Sequence, residues 1–151
     1  MTQLLRRGLC LESSSAAPPS DELVRRLMNV YRRRGGLVTG DEMALAMRGH
    51  YDQPVSQLAH RIVERRLLSF AWHAQTYIPT FQFGRHPVSV LNGVVAVLDE
   101  LAPAFDEYAL AEWFATPNSW LQFRVPSVLV AEEPMLVLQA ARADRYVATG
   151  W

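Results

Sequence analysis

The residue types that carry most enzymatic chemistry are few in this 151-residue chain, and they are widely spaced. The four histidines make no HxxxH or HExxH spacing, and no pair of carboxylates accompanies them in a zinc pattern. The single cysteine, Cys10, is remote from any histidine in a predicted ordered segment, so we interpret it as an unreactive thiol. Neither a Walker loop nor a GxGxxG or GxSxG motif is present. The sequence therefore predicts a protein with no enzymatic activity, no metal ion and no cofactor.

Length and composition limit the classes of protein to which the chain can belong. A chain of 151 residues makes one ordinary domain or two small modules that share a core, and 50% apolar with 20% charged residues is typical of globular proteins. No apolar run approaches the roughly 20 residues that a membrane-spanning helix needs. One cysteine excludes an intramolecular disulfide framework. The N-terminal segment carries Arg6 and Arg7 but no apolar stretch as long as that of a secretory signal, which predicts a cytoplasmic protein.

The charges are unevenly distributed, although the net charge is zero. Residues 1–80 contain 11 Arg against 7 acidic residues, and residues 81–151 contain 4 Arg against 8 acidic residues. Every basic residue is Arg, whose planar guanidinium contacts phosphates and base edges in a bidentate manner. A coding bias would produce the same all-Arg composition. The asymmetry indicates a nucleic-acid-binding N-terminal half and a C-terminal half with a different role.

Capping residues and periodicity predict three helices and a hairpin in the N-terminal half, after a polar, disordered lead-in over residues 1–20. Ser20 is a predicted helix N-cap, and Thr39 with Glu42 makes a capping box before a second, short helix. The predicted elements are a helix from Asp21 to the Gly35-Gly36 pair, a helix from Thr39 to about Arg48, a helix from Pro54 to about Arg66, and a hairpin of residues 68–72 and 75–78. The residues of the third helix that are predicted to face the core are Val55, Leu58, Ala59 and Ile62.

Two short helices joined by a turn and followed by a hairpin have the order of a winged helix-turn-helix, here over residues 21–83. In such a module the second of the two helices fits a major groove, and its polar side chains reach base edges. The predicted DNA-binding residues are Gln57, His60, Arg61 and Arg65 on base edges, with Arg66 and Arg32–Arg34 on phosphates. A soluble helix with Arg on its outer face has the same pattern, so this alternative stays open.

The C-terminal half, residues 84–151, is predicted to be helical. Its predicted helices run from Pro87 to Ala102, from Asp106 to Pro117, through a short turn at Pro126, and from Pro134 to about Val147. Trp151 is predicted to dock on the core of the chain or on a partner. The predicted fold class is thus mainly α, a helical bundle with a small β-hairpin.

A set of short motifs follows the predicted hairpin. They are Tyr77–Phe83, Trp113-Phe114, Pro117-Asn118, Leu121, Pro126, Val128-Leu129 and the Ala- and Arg-rich stretch Val137–Arg145. With these motifs, about residues 77–151 resemble the toxin-binding domain of the Xre/MbcA/ParS antitoxin family. Members of that family often have Gly and Arg between the Leu and the Pro, where this sequence has Gln122–Val125.

The resemblance implies a type II antitoxin. Such a protein binds a RES-domain toxin directed at NAD, covers the nucleotide cleft of the toxin with its C-terminal segment, and represses its own operon. By analogy, the partner-binding residues are Trp120, Arg142, Arg145, Tyr146 and Trp151, because Arg and aromatic side chains anchor interfaces. Asn118 and Leu121 would then be structural, as a capped turn and a core residue.

Three functions remain open at this point. The first is the antitoxin, whose partners are a RES-type toxin and operator DNA. The second is a stand-alone transcriptional regulator whose C-terminal half only dimerises, and the third is an interaction adaptor that does not bind DNA. A homodimer is expected for the DNA-binding alternatives, because a helix-turn-helix module usually binds a two-fold symmetric operator.

Overall fold

Seven α-helices and a three-stranded antiparallel sheet make up the part of the chain that the computed structural model describes, residues 19–84 and 89–150. In chain order the elements are α1 (Asp21–Arg33), β1 (Leu37–Thr39), α2 (Gly40–Met47), α3 (Pro54–Val63), β2 (Phe70–Trp72), β3 (Gln75–Pro79), α4 (Asn92–Leu101), α5 (Glu107–Ala115), α6 (Pro126–Leu129) and α7 (Pro134–Thr149). The mainly α fold with a small β element is confirmed. Within these residues, no helix combines the length and apolarity needed to cross a membrane. Most of the predicted lead-in, residues 1–18 with Cys10, lies outside the described residues.

Three helices begin where the sequence predicts, because a side chain satisfies a free N–H group at each start. The hydroxyl of Ser20 accepts a backbone N–H of α1 at 3.2 Å. Thr39 and Glu42 form the capping box in both directions, at 3.2 and 2.8 Å. The carboxylate of Asp106 accepts a backbone N–H of α5 at 2.8 Å. Each of these caps is a local signal, which is why the sequence alone locates it.

The predicted hairpin is confirmed, and the structure adds a third strand to it. β2 and β3 pair antiparallel around His73 and Ala74, whose φ angles of 47° and 60° belong to a tight two-residue turn. β1 pairs with the other edge of β3, with Val38 opposite Ile78, so the strand order is β1-β3-β2. The sequence did not indicate β1, because three residues are too few to show an alternating pattern.

The third helix is shorter than predicted, since α3 ends at Val63 and not near Arg66. Arg65 adopts a left-handed φ of 53°, and the N–H of Arg66 donates to the carbonyl of Arg61 at 3.0 Å, the pattern of a Schellman cap. Glycine usually occupies the left-handed position of this cap, so an arginine there gives no stop signal in the sequence. Two of the predicted DNA-binding residues, Arg65 and Arg66, therefore lie beyond the helix.

The predicted inward face of α3 is also partly wrong. Leu58 is buried and Ile62 is half-buried, as predicted, but Val55 is 70% exposed and Ala59 is exposed. The physical reason is that α3 packs chiefly against one neighbour, the short helix α2. A narrow line of apolar side chains is enough to make that contact, and the rest of the apolar residues remain on the surface.

Two clusters of buried side chains form the core. The larger cluster draws on α1, β2 and the C-terminal helices, and Phe81 packs within it between Tyr31 and Phe114, at ring-centroid distances of 5.8 and 5.3 Å. The hydroxyl of Tyr31 donates to the carbonyl of Ala111 on α5 at 2.5 Å, and burial raises the pKa of this hydroxyl. The N-terminal and C-terminal halves therefore share this cluster. The smaller cluster lies between α2, α3 and β3 and consists of Met43, Met47, Leu58, Leu67 and Ile78.

The first helix of the C-terminal half begins later than predicted. α4 starts at Asn92, whereas the prediction placed its start at Pro87, which lies outside the described residues. The N–H of Leu91 donates to the carbonyl of Gln82 at 2.8 Å. Val90 forms an isolated antiparallel bridge with Phe83. This segment therefore pairs with the chain that follows β3 and does not join the helix.

Candidate functional site

Two of the predicted DNA-binding side chains, Gln57 and His60, lie on the exposed surface of α3. The helix begins at Pro54, whose fixed φ suits the first helical position, and buried Leu58 orients it against the smaller cluster. Nε2 of His60 lies 3.2 Å from the carboxylate of Glu64, one turn further along the chain. The outer surface of α3 thus presents an amide and an imidazole to solvent.

Arg61 contacts the turn that precedes α3. Its guanidinium is half-buried, donates from Nη2 to the hydroxyl of Tyr51 at 2.9 Å, and lies 5.2 Å from the centroid of the same ring. This geometry combines a hydrogen bond with a cation–π contact. The prediction gave Arg61 to a base edge, and the structure places its guanidinium against the protein.

Arg65 connects the two halves of the chain. Its Nη1 donates to the backbone carbonyls of Ala102 and Phe105, at 3.1 and 3.2 Å, in the turn between α4 and α5. Arg26 on α1 adds a second connection through a 2.8 Å ion pair with Glu112 on α5. Arg65 was predicted to contact a base edge. In the structure its guanidinium instead links the end of α3 to the C-terminal half.

The exposed surface of α3 also carries apolar side chains. Val63 is 81% exposed and Val55 is 70% exposed, with exposed Ala59 between them. These three residues are spaced four positions apart, so they form one line along the helix, here called the α3 stripe. The stripe is apolar surface that folding leaves in contact with water.

A single carboxylate, that of Asp144 on α7, organises the motif region of the C-terminal half. Its Oδ2 accepts the indole N–H of Trp113 and the amide N–H of Asn118, both at 2.7 Å, and its Oδ1 accepts the indole N–H of Trp120 at 3.0 Å. The sequence alone does not indicate the role of Asp144, because its partners lie 24 to 31 positions earlier in the chain. The sequence holds one signal for such a contact, which is its two tryptophans at positions 113 and 120. The N–H group of a tryptophan needs a hydrogen-bond acceptor when it is buried.

The loop between α5 and α6 is closed by Asn118, which is predicted to be structural. Its Oδ1 accepts the backbone N–H of Trp120 at 2.9 Å, and its carbonyl accepts the N–H groups of Leu121 and Phe123. Gln122 and Phe123 both have left-handed φ angles, 57° and 61°. Leu121 is buried, as predicted, whereas Trp120 and Phe123 are 56% and 74% exposed. The loop therefore fixes two aromatic side chains on the surface.

Replacing Gln122 by glycine should stabilise the protein by about 1 kcal/mol, because the left-handed conformation costs a residue with a Cβ about 1–2 kcal/mol and costs glycine almost nothing. Urea denaturation of both proteins measures this difference. Ser119→Gly is the matched control: it lies in the same loop at an exposed position without a positive φ, and it should destabilise by about 0.5–1 kcal/mol. A Gln122→Gly protein that is no more stable than the parent would refute strain at this position.

Two of the three predicted partner-binding residues of α7 contact α4. Nε of Arg142 and Nη1 of Arg145 lie 3.6 and 3.2 Å from the carboxylate of Glu100, whose side chain is 18% exposed. Tyr146 is 63% exposed, and Trp151 lies outside the described residues. The two arginines thus lie against α4, whereas Trp120 lies at the Asp144 contact described above.

Comparisons with known proteins add no relative to this picture. No protein-family model, curated protein or solved structure matches the chain. A functional assignment therefore rests on the arrangement of the side chains described above and on the resemblance of the motifs.

Proposed function

We propose that the chain is an antitoxin that binds a RES-type, NAD-directed toxin through its C-terminal half and represses its own operon through its N-terminal half. The observation that carries the proposal is the exposure of three aromatic side chains, Trp120, Phe123 and Tyr146, on the half that resembles the toxin-binding domain. An exposed aromatic ring gains little from folding. Aromatic residues contribute much of the binding energy of protein interfaces, so this surface is suited to a protein partner.

The loop geometry supports partner binding by Trp120 and Phe123. Asp144 accepts the indole N–H of Trp120 and Asn118 accepts its backbone N–H, so the orientation of the ring is set before a partner arrives. Phe123 lies in the stretch Gln122–Val125, where members of the family often have Gly and Arg, and its left-handed backbone disfavours residues other than glycine. A large apolar side chain at position 123 costs backbone energy. Such a cost is expected where the side chain binds a partner.

Inhibition of the toxin would require no chemistry from the chain itself. In the proposed complex the C-terminal segment covers the nucleotide cleft, with Arg142, Arg145, Tyr146 and Trp151 as the contacts. Glu100 orients both guanidinium groups from α4. Each guanidinium has five N–H donors, more than one carboxylate can accept, so donors remain for the phosphate-binding part of such a cleft.

The topology of the N-terminal half supports operator binding. The element order α1-β1-α2-α3-β2-β3, with the sheet order β1-β3-β2, supports the proposed winged helix. In such a module the second helix of the helix-turn-helix enters the major groove. Gln57 and His60 are exposed on α3 for base edges, and Arg66 and Arg32–Arg34 are exposed for phosphates. A homodimer would present two copies of α3 to a two-fold operator.

Co-purification tests the toxin part of the proposal. The tagged full chain, purified from its native host, should retain a stoichiometric second protein, identified by mass spectrometry, that consumes NAD only after it is separated from the chain. Phe123→Ala should weaken this complex by about tenfold or more. Met135→Ala, at a residue of α7 that is 62% exposed, is the matched control and should not. Recovery of the chain alone, or a partner that does not consume NAD, would contradict the toxin part and favour the stand-alone regulator.

A further inference from the structure

We propose that α3 selects operator sequences through contacts with the methyl groups of thymine, so that its preferred sites are rich in A·T base pairs. The inference rests on the operator binding proposed above and adds the class of sequence that is bound. Two features of α3 carry it. The α3 stripe of Val55, Ala59 and Val63 is exposed, and Arg61 on the same helix is turned toward the protein.

Guanine recognition is the first alternative, and the arginines near α3 do not favour it. The commonest specific contact to guanine is a bidentate pair from Arg to O6 and N7. Arg61 directs Nη2 to the hydroxyl of Tyr51 and stacks on the same ring, and Arg65 directs Nη1 to two backbone carbonyls of the C-terminal half. These contacts hold both guanidinium groups against the protein, so a bidentate contact from either one to guanine would require its side chain to move.

Thymine is the base that an apolar helix surface can distinguish in the major groove. Its C5 methyl is the only methyl group among the base edges there, and small apolar side chains contact it. Val55, Ala59 and Val63 present methyl groups along one line of α3, with the two valines 70% and 81% exposed. Each methyl–methyl contact removes apolar surface from water on both sides, which gives it a favourable free energy.

The exposed amide of Gln57 has a matching preference for A·T pairs. Gln57 is exposed in the first half of α3, the part of such a helix that approaches the bases in a helix-turn-helix. A glutamine amide donates to N7 and accepts from N6 of adenine, the base paired with thymine. Gln57 lies two positions from Val55 and from Ala59, which places it on a different side of α3 from the stripe. The amide and the stripe therefore favour A·T pairs through contacts with different base pairs.

The charges near α3 favour DNA over a second copy of the chain as the occupant of the stripe. Residues 48–66, which span α3 and its flanks, contain four arginines against two carboxylates, those of Asp52 and Glu64. Arg48 and Arg66 are exposed, and the carboxylate of Glu64 lies 3.2 Å from His60. Two copies meeting along the stripe would bring like charges together, whereas the phosphates beside a major groove carry the opposite charge.

Selection of duplexes from a random-sequence library with the full chain tests the inference. The selected duplexes should be enriched in A·T pairs. Replacing thymidine by deoxyuridine, which removes only the C5 methyl, should weaken binding about fourfold for each methyl that is contacted. Val55→Thr replaces one methyl by a hydroxyl of similar shape, so it should weaken binding to the thymine duplex more than to the uracil duplex. Val128→Thr, at a valine of α6 that is 55% exposed, is the matched control and should affect neither.

Three outcomes would overturn the inference, and they are distinguishable. Selected duplexes rich in G·C, or an affinity that uracil does not change, would refute methyl recognition while leaving operator binding intact. Failure to select any duplex would refute operator binding itself. A dimer in the absence of DNA that Val55→Thr dissociates, measured by analytical ultracentrifugation, would show that the stripe joins two copies of the chain.

Discussion

Replacing Gln82 by methionine should lower the free energy of unfolding by about 3 kcal/mol, although the two side chains are similar in length. Gln82 is fully buried, and its amide makes three hydrogen bonds to the backbone. Oε1 accepts the N–H of Leu68 at 2.8 Å, and Nε2 donates to the carbonyls of Leu68 and Pro79 at 2.9 and 2.8 Å. Methionine would leave these backbone groups buried without partners, at about 1–3 kcal/mol each before the structure adjusts.

Urea denaturation followed by circular dichroism measures the effect of Gln82→Met. Gln75→Met, at an exposed position of β3, is the matched control and should change stability by less than about 0.5 kcal/mol. A loss of less than about 1 kcal/mol at Gln82 would mean that the groups of Leu68 and Pro79 find other partners. The amide of Gln82 would then not be the group that joins the segment before β2 to the end of β3.

Replacing Asp144 by alanine should lower the free energy of unfolding by about 2 kcal/mol and should release the indole of Trp120. Trp113 and Asn118 are each 8% exposed, so water cannot easily replace the acceptor that they lose, whereas Trp120 can turn to solvent. Because Asn118 closes the loop that carries Phe123, binding of the proposed toxin should fall together with stability.

Tryptophan fluorescence with acrylamide quenching separates the two effects of Asp144→Ala. Quenching should increase in the folded protein, at urea concentrations well below the unfolding transition. Asp144→Asn keeps one carbonyl oxygen as an acceptor and should lie between the parent and Asp144→Ala. Glu132→Ala removes an exposed carboxylate and is the matched control. A folded Asp144→Ala protein with unchanged quenching would show that Trp120 does not depend on this carboxylate.

Local signals account for what the sequence could predict about this fold. The N-cap Ser20, the capping box of Thr39 and Glu42, and the cap Asp106 each act within four residues, and each begins a helix where expected. The hairpin was predictable for a similar reason, since its two strands are separated by only two residues, His73 and Ala74. The mainly helical class follows from these elements together.

The features that were not predicted depend on contacts between distant parts of the chain or on an unusual residue at a standard position. Asp144 acquires its role from donors on a different part of the fold. Arg65 ends α3 in a conformation that normally indicates glycine, and carbonyls of the turn after α4 engage its side chain. Val55 satisfies an amphipathic pattern, but its exposure is set by how few elements pack on α3. Periodicity alone contains none of this information.

The aromatic packing of the larger cluster has a consequence for how such a chain can evolve. Exchange of modules by recombination requires units that keep their own cores when they are separated. Here Phe81 lies between Tyr31 of the N-terminal half and Phe114 of the C-terminal half. Joining the two halves of different chains between β3 and α4 would bring together aromatic rings that do not fit one another. The free energy of unfolding would then fall by several kcal/mol. Such a chain is therefore expected to change by substitution at surface residues around a shared core, and not by exchange of its halves.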